Sequence, residues 1–218
     1  MHYDALLLDL DGTLLDTAAD FHVVLNQLLR NENLPEVSYQ QVRRVVSHGA
    51  RAMVSMGFGI GEDHPDFARL RDAFLALYGQ HYAVHTCLFD GFAEVLQHCD
   101  DRRIPWGIIT NKPATFAEPL WRDLGLPYQL GCLICPDHVS QAKPDPEPMF
   151  LAAQQVGIDA QRCLYVGDHR RDIDAGRAAG MATVVANWGY LDDDDQPSSW
   201  QADHYFDTPQ QLLTLLAP

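Results

Sequence analysis

The chain has 218 residues, 47% of them hydrophobic and 21% charged, a composition that excludes disordered and fibrous classes and suits a domain with a sizeable core. Fifteen Lys and Arg against thirty Asp and Glu leave a net charge of −15, which argues against nucleic acid and anionic membranes as partners. No uncharged run reaches the roughly 18 residues of a membrane span, and the start, Met1-His2-Tyr3-Asp4, lacks the basic flank of a signal peptide.

Ala5-Leu6-Leu7-Leu8 is the first of several short apolar runs without polar alternation. Such runs predict strands buried on both faces of a parallel sheet. The next stretch, residues 16–85, has no buried strand. Ser38-x-x-Gln41 is a capping-box pattern. Phe67, Leu70, Phe74, Leu77, Tyr78 and His81 recur every three or four residues and share one helix face. Pro35, Gly57, Gly59, Gly61 and Pro65 mark turns. The stretch reads as a helical module inserted after the first strand. Residues 1–15 and 86–218 then form the core. In that core the runs Trp106-Gly107-Ile108-Ile109, Cys132-Leu133-Ile134-Cys135, Leu164-Tyr165-Val166 and Ala182-Thr183-Val184-Val185 predict further strands. Asp145-Pro146 predicts an N-cap and first helical residue, with the helix ending near Gly157. A second helix is expected from Arg171 to Ala179, stopped by Gly180. Asp192 to Asp195 reads as a solvated loop, and a last helix is expected from Thr208-Pro209 through Leu212, Leu213, Leu215 and Leu216. Alternating strand and helix predicts an α/β fold with a parallel sheet.

Asp9-Leu10-Asp11-Gly12-Thr13 follows the first strand, and open α/β sheets bind ligands beyond the carboxyl ends of their strands. Three later segments converge on the same edge. Thr110-Asn111 follows one strand, Lys143-Pro144 precedes a helix, and Gly167-Asp168-His169-Arg170-Arg171-Asp172 follows another strand. Asp9, Asp11, Asp168 and Asp172 would repel one another, since two like charges 4 Å apart cost about 4 kcal/mol at an effective dielectric near 20. A hard divalent cation relieves that repulsion, and Mg²⁺ commonly sits between carboxylates and a substrate phosphate. Lys143 adds a point charge and Thr110 a hydroxyl donor for phosphoryl oxygens. Only two of the fifteen basic residues are lysines, Lys112 and Lys143, so chemistry that needs an amine has two candidates.

In order and spacing, these four segments resemble the motifs of the haloacid dehalogenase superfamily across the whole chain. The resemblance implies a Rossmann-like core with a parallel sheet and a helical cap inserted after the first motif. It implies Asp9 as nucleophile and Asp11 as general acid and base. Thr110, Asn111 and Lys143 would hold the phosphoryl group. Mg²⁺ would be bound by the Asp9 carboxylate, the Asp11 main-chain carbonyl and Asp168, with Asp172 in support. His169 departs from the pattern, where a small hydroxyl residue is usual. An acid at Asp11 favours phosphoryl transfer over dehalogenation. The absence of Lys before residue 112 disfavours a phosphonate hydrolase, and a sugar phosphomutase stays open.

Ser47 to Met53, Leu133 to Val139, Lys143 to Pro148 and Gly189-Tyr190-Leu191 resemble a group in the phosphoglycolate phosphatase-like branch, the N-acetylmuramic acid 6-phosphate phosphatases of peptidoglycan recycling. The implied partner is a small phosphorylated metabolite bearing a carboxylate. Either this sugar phosphate or phosphoglycolate meets that description. In the cap, Gly49 would let backbone approach the ligand, and His48 or Arg51 would pair with its carboxylate. Arg51 on a solvated helix face stays open as well. Arg170 and Arg171 read as residues that start a helix and pair with acids such as Asp174, with steering of phosphate as the alternative. Trp188 and Tyr190 read as packing. Cys132 and Cys135 read as buried structural thiols rather than zinc ligands. Five cysteines in a chain too large to need staples fit reduced thiols and a cytoplasmic location. The sequence leaves the oligomeric state open.

Overall fold

A computed structural model describes residues 2–192 and 196–216. The acidic run therefore lies outside the described residues except for Asp192. Four fully buried residues form β1 (Ala5–Leu8). The chain turns into β2 (Leu15–Asp16) and passes through α1 (Ala18–Asn31), α2 (Tyr39–Val45), α3 (Gly49–Phe58) and α4 (Phe67–His81). It returns through β3 (Cys87–Leu88), which pairs antiparallel with β2. Strand and helix then alternate: α5 (Phe92–Arg102), β4 (Trp106–Ile109), α6 (Ala114–Leu124), β5 (Cys132–Ile134), α7 (Glu147–Val156), β6 (Cys163–Gly167), α8 (Arg170–Ala178), β7 (Ala182–Ala186) and β8 (His204–Phe206).

The main sheet runs β5-β4-β1-β6-β7-β8, every neighbour parallel. β1 shows why the apolar runs lack alternation. Leu6 and Leu8 pack on one face with Trp106, Ile108 and Val166, while Ala5 and Leu7 pack on the other with Met149 and Tyr165. Both faces are covered, so polar residues have no place in the strand. The strand order reverses at β1, which lies between β4 and β6. The crevice at such a switch point, beyond the strand ends, is where doubly wound sheets receive ligands.

Helices α1–α4 bury a cluster of their own, including Val24, Leu25, Val54, Leu70 and Phe74. The capping box at Ser38 and Gln41 forms as the spacing predicts. The two chain crossings between these helices and the sheet are tied by side chains. Buried Asp20 of α1 accepts the backbone N–H groups of Val84, His85 and Thr86 at 3.2, 2.9 and 3.1 Å, and the Thr86 hydroxyl at 2.6 Å. The Tyr190 hydroxyl accepts from the Thr17 and Ala18 N–H groups and donates to Asp16. Tyr190 and Trp188 do pack as expected, and Trp188 Nε1 also donates to the Thr13 carbonyl at 2.9 Å.

Several boundaries move. The helix expected from Pro146 begins at Glu147, with the Asp145 carboxylate accepting the Glu147 N–H at 2.9 Å. α8 begins one residue early, because the His169 ring takes the capping role by accepting the Arg171 N–H. The last expected helix is a short 3-10 segment, Pro209–Thr214. β8 has no counterpart among the expected strands, since its half-exposed His-Tyr-Phe run carries no buried pattern. Cys135 falls just past β5 and heads a turn in which its N–H donates to His138 Nδ1. All five cysteines are free, and burial pushes the thiols of Cys132 and Cys135 up to about 12. No helix among the described residues is long and apolar enough to cross a membrane.

Candidate active site

Asp9 leaves the end of β1, where its N–H still donates to the Val166 carbonyl of β6 at 2.9 Å. Thr110 leaves β4 and Asp168 leaves β6 at the same edge. Parallel register therefore brings together residues more than a hundred positions apart. The chain can turn after Asp11 because Gly12 has φ +83°, and a β-carbon there would collide with the Asp168 carboxylate. Gly167 is required by close approach instead, since any side chain would strike Asp172.

Carboxylate oxygens of Asp9, Asp168 and Asp172 lie within 4.8 Å of one another, all buried. This is the one group with metal-binding geometry found among the described residues. Lys143 is fully buried beside it. Its Nζ is 3.0 Å from Asp9 Oδ1, 2.6 Å from Asp172 Oδ1, 2.8 Å from the Ile109 carbonyl and 2.9 Å from the Tyr165 hydroxyl. An ammonium has three protons to donate, so these four acceptors already use them, and Lys143 acts on a third party as a point charge. Asn111 holds the Lys143 main chain by donating to its carbonyl at 2.9 Å.

Three acids against one enclosed ammonium leave the cluster short of positive charge. Burial pushes Asp9 up to about 7, with Asp172 and Asp168 adding to the rise and Lys143 opposing it. Burial also lifts Asp168 to about 6, reinforced by Asp172 and opposed by hydrogen bonds from the Tyr190 N–H and the Ser47 and Thr13 hydroxyls. Burial acts on Asp172 too, but Lys143 and then Arg171 outweigh it and hold Asp172 below the usual carboxylate range. This set of hard oxygen donors with unbalanced negative charge fits a divalent cation such as Mg²⁺.

The Asp11 side chain stands apart from that cluster. It accepts from the Thr17 hydroxyl at 2.7 Å and from Lys112 Nζ at 2.9 and 3.2 Å. Thr110 is buried, and its hydroxyl oxygen accepts the Lys112 N–H.

Above these groups lies a cleft of about 510 Å³. Asp9, Asp11, Thr110 and Asn111 line it from the sheet side, and Ser47, His48, Gly49 and Arg51 from the helical side. Phe21, Met53, Leu75, Tyr78 and Phe116 supply an apolar wall. Lys143, Asp168 and Asp172 lie beneath the lining. Gly49 has φ +78° and open space beside it. Arg51 lines the rim, and its guanidinium is paired with Glu62 at 2.7 Å with both side chains largely exposed.

Arg170 does start α8 and pairs with Asp174 at 3.5 Å. Arg171 lies in the first turn of that helix as expected, but its side chain turns to a partner other than an acid. It faces the cleft and donates to the Ser47 carbonyl, and its buried Nε has no hydrogen-bond partner. Ser47 in turn donates from its hydroxyl to Asp168 Oδ2 at 2.9 Å. Ser47 thus touches both Asp168 and Arg171. Sequence reasoning missed this, because the spacing within that segment says nothing about what the inserted helices bring to it. Lys112, the other of the two amine candidates, is buried and paired with Asp11.

Residues 6–186 match the family described as haloacid dehalogenase-like hydrolase. Over 216 residues the chain is 45% identical to the N-acetylmuramic acid 6-phosphate phosphatase of Pseudomonas aeruginosa, covering 99% of this chain and 96% of that one. Over 212 residues it is 43% identical to a phosphoglycolate phosphatase of Xanthomonas campestris, covering 95% and 94%. A crystal structure of a predicted phosphoglycolate phosphatase from Haemophilus somnus superposes with a TM-score of 0.84 at 23% identity, covering 98% of both chains. That likeness carries the fold alone. The chain belongs to the haloacid dehalogenase-like hydrolases. Within that family it is a phosphatase, a hydrolase of phosphoric monoesters.

Proposed function

We propose that this phosphatase hydrolyses N-acetylmuramic acid 6-phosphate through an aspartyl-phosphate on Asp9, in peptidoglycan recycling in the cytoplasm. The observation that carries the chemistry is the buried Asp9–Lys143–Asp172 arrangement with Asp168 beside it, opening onto a cleft that Asp11 also lines. Asp9, Asp168 and Asp172, with the Asp11 main-chain carbonyl, are the residues to hold Mg²⁺. When bound, the cation would offset the charge that otherwise sets an anionic nucleophile against an anionic ester.

In the first half-reaction an Asp9 oxygen attacks phosphorus. The ester P–O bond breaks, and Asp11 delivers a proton to the leaving sugar oxygen. In the second, Asp11 takes a proton from water, the water oxygen attacks phosphorus, and the Asp9–phosphorus bond breaks to release phosphate. The Thr110 hydroxyl and nearby backbone N–H groups donate to the phosphoryl oxygens, and Lys143 adds its charge. Residues 16–85 act as the cap that chooses the leaving group. Arg171, which lines the cleft, and Arg51 are the residues to receive the substrate carboxylate.

The sugar phosphate is favoured by the relatives at 45% and 44% identity and by the cleft. An acetylated amino sugar with a lactyl arm suits a cleft of about 510 Å³ with an apolar wall, whereas a two-carbon acid leaves most of that wall bare. The relative named phosphoglycolate phosphatase at 43% identity supports the second reading. The two are separated by kcat/KM for phosphate release from each ester with Mg²⁺. The first reading requires a preference of at least ~100-fold for the sugar phosphate, about 2.7 kcal/mol of transition-state discrimination. The reverse preference replaces it with the second. Asp9→Asn that still hydrolyses either ester at the wild-type rate overturns the mechanism.

A further inference from the structure

Lysine is scarce in this chain, and both copies serve one place. Thirteen of the fifteen basic residues are Arg, yet the side chains of Lys143 and Lys112 are only 0% and 6% exposed, each against a carboxylate of the cleft. Lys143 belongs to the machinery described above. Lys112 has no part in it.

Three surroundings fix the Lys112 ammonium. Asp11 accepts from it through both oxygens, at 2.9 and 3.2 Å. The Phe21 ring of α1 and the Tyr78 ring of α4 each have their centroid 4.7 Å from Nζ. Those rings stack on each other with centroids 4.3 Å apart, so they form one platform, built from the inserted helices. A buried cation above aromatic faces is held by their negative potential, and its compact head can reach a neighbouring carboxylate where a guanidinium fork would not fit in the same way. The Lys112 main chain is itself tied to Thr110 by its N–H at 3.1 Å. A single residue thus joins the Thr110 loop, the Asp11 carboxylate and the helical module.

We propose that Lys112 is a positioning residue for Asp11, and that the Phe21–Tyr78 platform sets where it stands. This rests on the reading of Asp11 as the group that passes the proton to the leaving oxygen. The acid–base group is then built jointly. Its carboxylate comes from the strand end, and its placement comes from the inserted helices through an ammonium they hold. Misplacing a catalytic group by about 1 Å costs on the order of 100-fold in rate.

The test uses leaving groups. A sugar alkoxide needs the Asp11 proton to depart, whereas p-nitrophenolate departs without one. Single-turnover release of sugar from N-acetylmuramic acid 6-phosphate and of p-nitrophenol from its phosphate, both with Mg²⁺, would be followed for wild type, Lys112→Met, Lys112→Arg, Phe21→Leu and Asp9→Asn. Lys112→Met is expected to slow sugar release at least about 30-fold and p-nitrophenol release less than about 3-fold. Phe21→Leu shifts the same ratio in the same direction by a few-fold, and Lys112→Arg recovers part of the loss. Phe21→Leu keeps every charged group in place, so it carries the test if Lys112→Met fails to fold. Equal loss with both esters, or a change confined to KM, overturns the role of Lys112 while loss of both activities in Asp9→Asn leaves the mechanism standing. Turnover by Asp9→Asn at the wild-type rate overturns the mechanism and this inference with it.

Discussion

On the sheet side of the cleft, Lys143 and Asp172 form an ion pair with both side chains fully buried, while on the helical side Arg51 and Glu62 form one that leaves 62% and 55% of theirs exposed. The buried pair has given up water on both partners, so each depends on the other. The exposed pair trades one solvated partner for another at little change in free energy. In the proposed mechanism, the groups that perform the same chemistry on every substrate are the ones held by burial on the sheet side. The groups proposed to choose a substrate sit where a new anion would displace a weak partner easily. Arg171 stands between the two regimes. It rises from the sheet side, and its guanidinium reaches across to the Ser47 carbonyl.

The contrast breaks first at Lys143. Lys143→Met removes the only ammonium within the carboxylate cluster, and losing one partner of a buried pair destabilises by about 3 to 5 kcal/mol. Urea denaturation measures the loss, and phosphatase activity disappears with it. A smaller loss means that the acids are hydrated in solution.

The next test is pH. Asp9 and Asp168 sit at about 7 and about 6 against a usual 3.8. The folded chain holds their protons more tightly than the unfolded one. The stability they contribute is therefore complete below the usual carboxylate range and is lost as pH rises through 6 and 7. Asp172 is lowered, so its contribution is lost only below that range and leaves this window alone. The Mg²⁺ proposed for this cluster would bind the ionised form, so its stabilising effect would grow with pH. The Tm increase on adding Mg²⁺ after EDTA treatment is expected to be larger at pH 8 than at pH 5, and Asp9→Asn should reduce that difference. An increase equal at both pH values contradicts the shifts.

Ser47→Ala tests the seam between the two sides. It removes the hydroxyl that donates to Asp168, which lowers stability by about 1 kcal/mol and weakens Mg²⁺ binding, measured by titrating activity with the metal. Arg51→Ala should have the smallest effect on the fold, within about 0.5 kcal/mol, while raising KM for the carboxylate-bearing ester. A large loss of stability from Arg51→Ala would show that the exposed pair is structural.

The same contrast governs what a reader of the sequence can find. Asp9, Asp11, Thr110, Lys143, Asp168 and Asp172 each sit in a short contiguous motif at a strand end or helix start, and the parallel order of β4, β1 and β6 gathers them. Their company follows from local pattern plus topology. Tyr165 was legible only as a strand residue. Its hydroxyl reaches the Lys143–Asp172 pair because β6 turns that face toward α7 and α8. Ser47, Arg171 and Lys112 owe their places to contacts across 60 residues or more, between elements whose docking no spacing records. β2 and β3, at two residues each, are too short for a periodic signal, and Asp20 reads as an ordinary acid in a helix's first turn until the returning chain at residues 84–86 folds onto it.

The burial of both lysines has a practical side. Acylating reagents attack uncharged amines that solvent can reach, and the side chains of this chain carry only two, 0% and 6% exposed. The folded protein is close to inert toward such reagents apart from its α-amino group. Each unfolding event uncovers two new acylation sites, one from the carboxylate cluster and one from the aromatic platform. The order in which the two take up label under mild denaturant would show whether the helical module loosens before the sheet edge does.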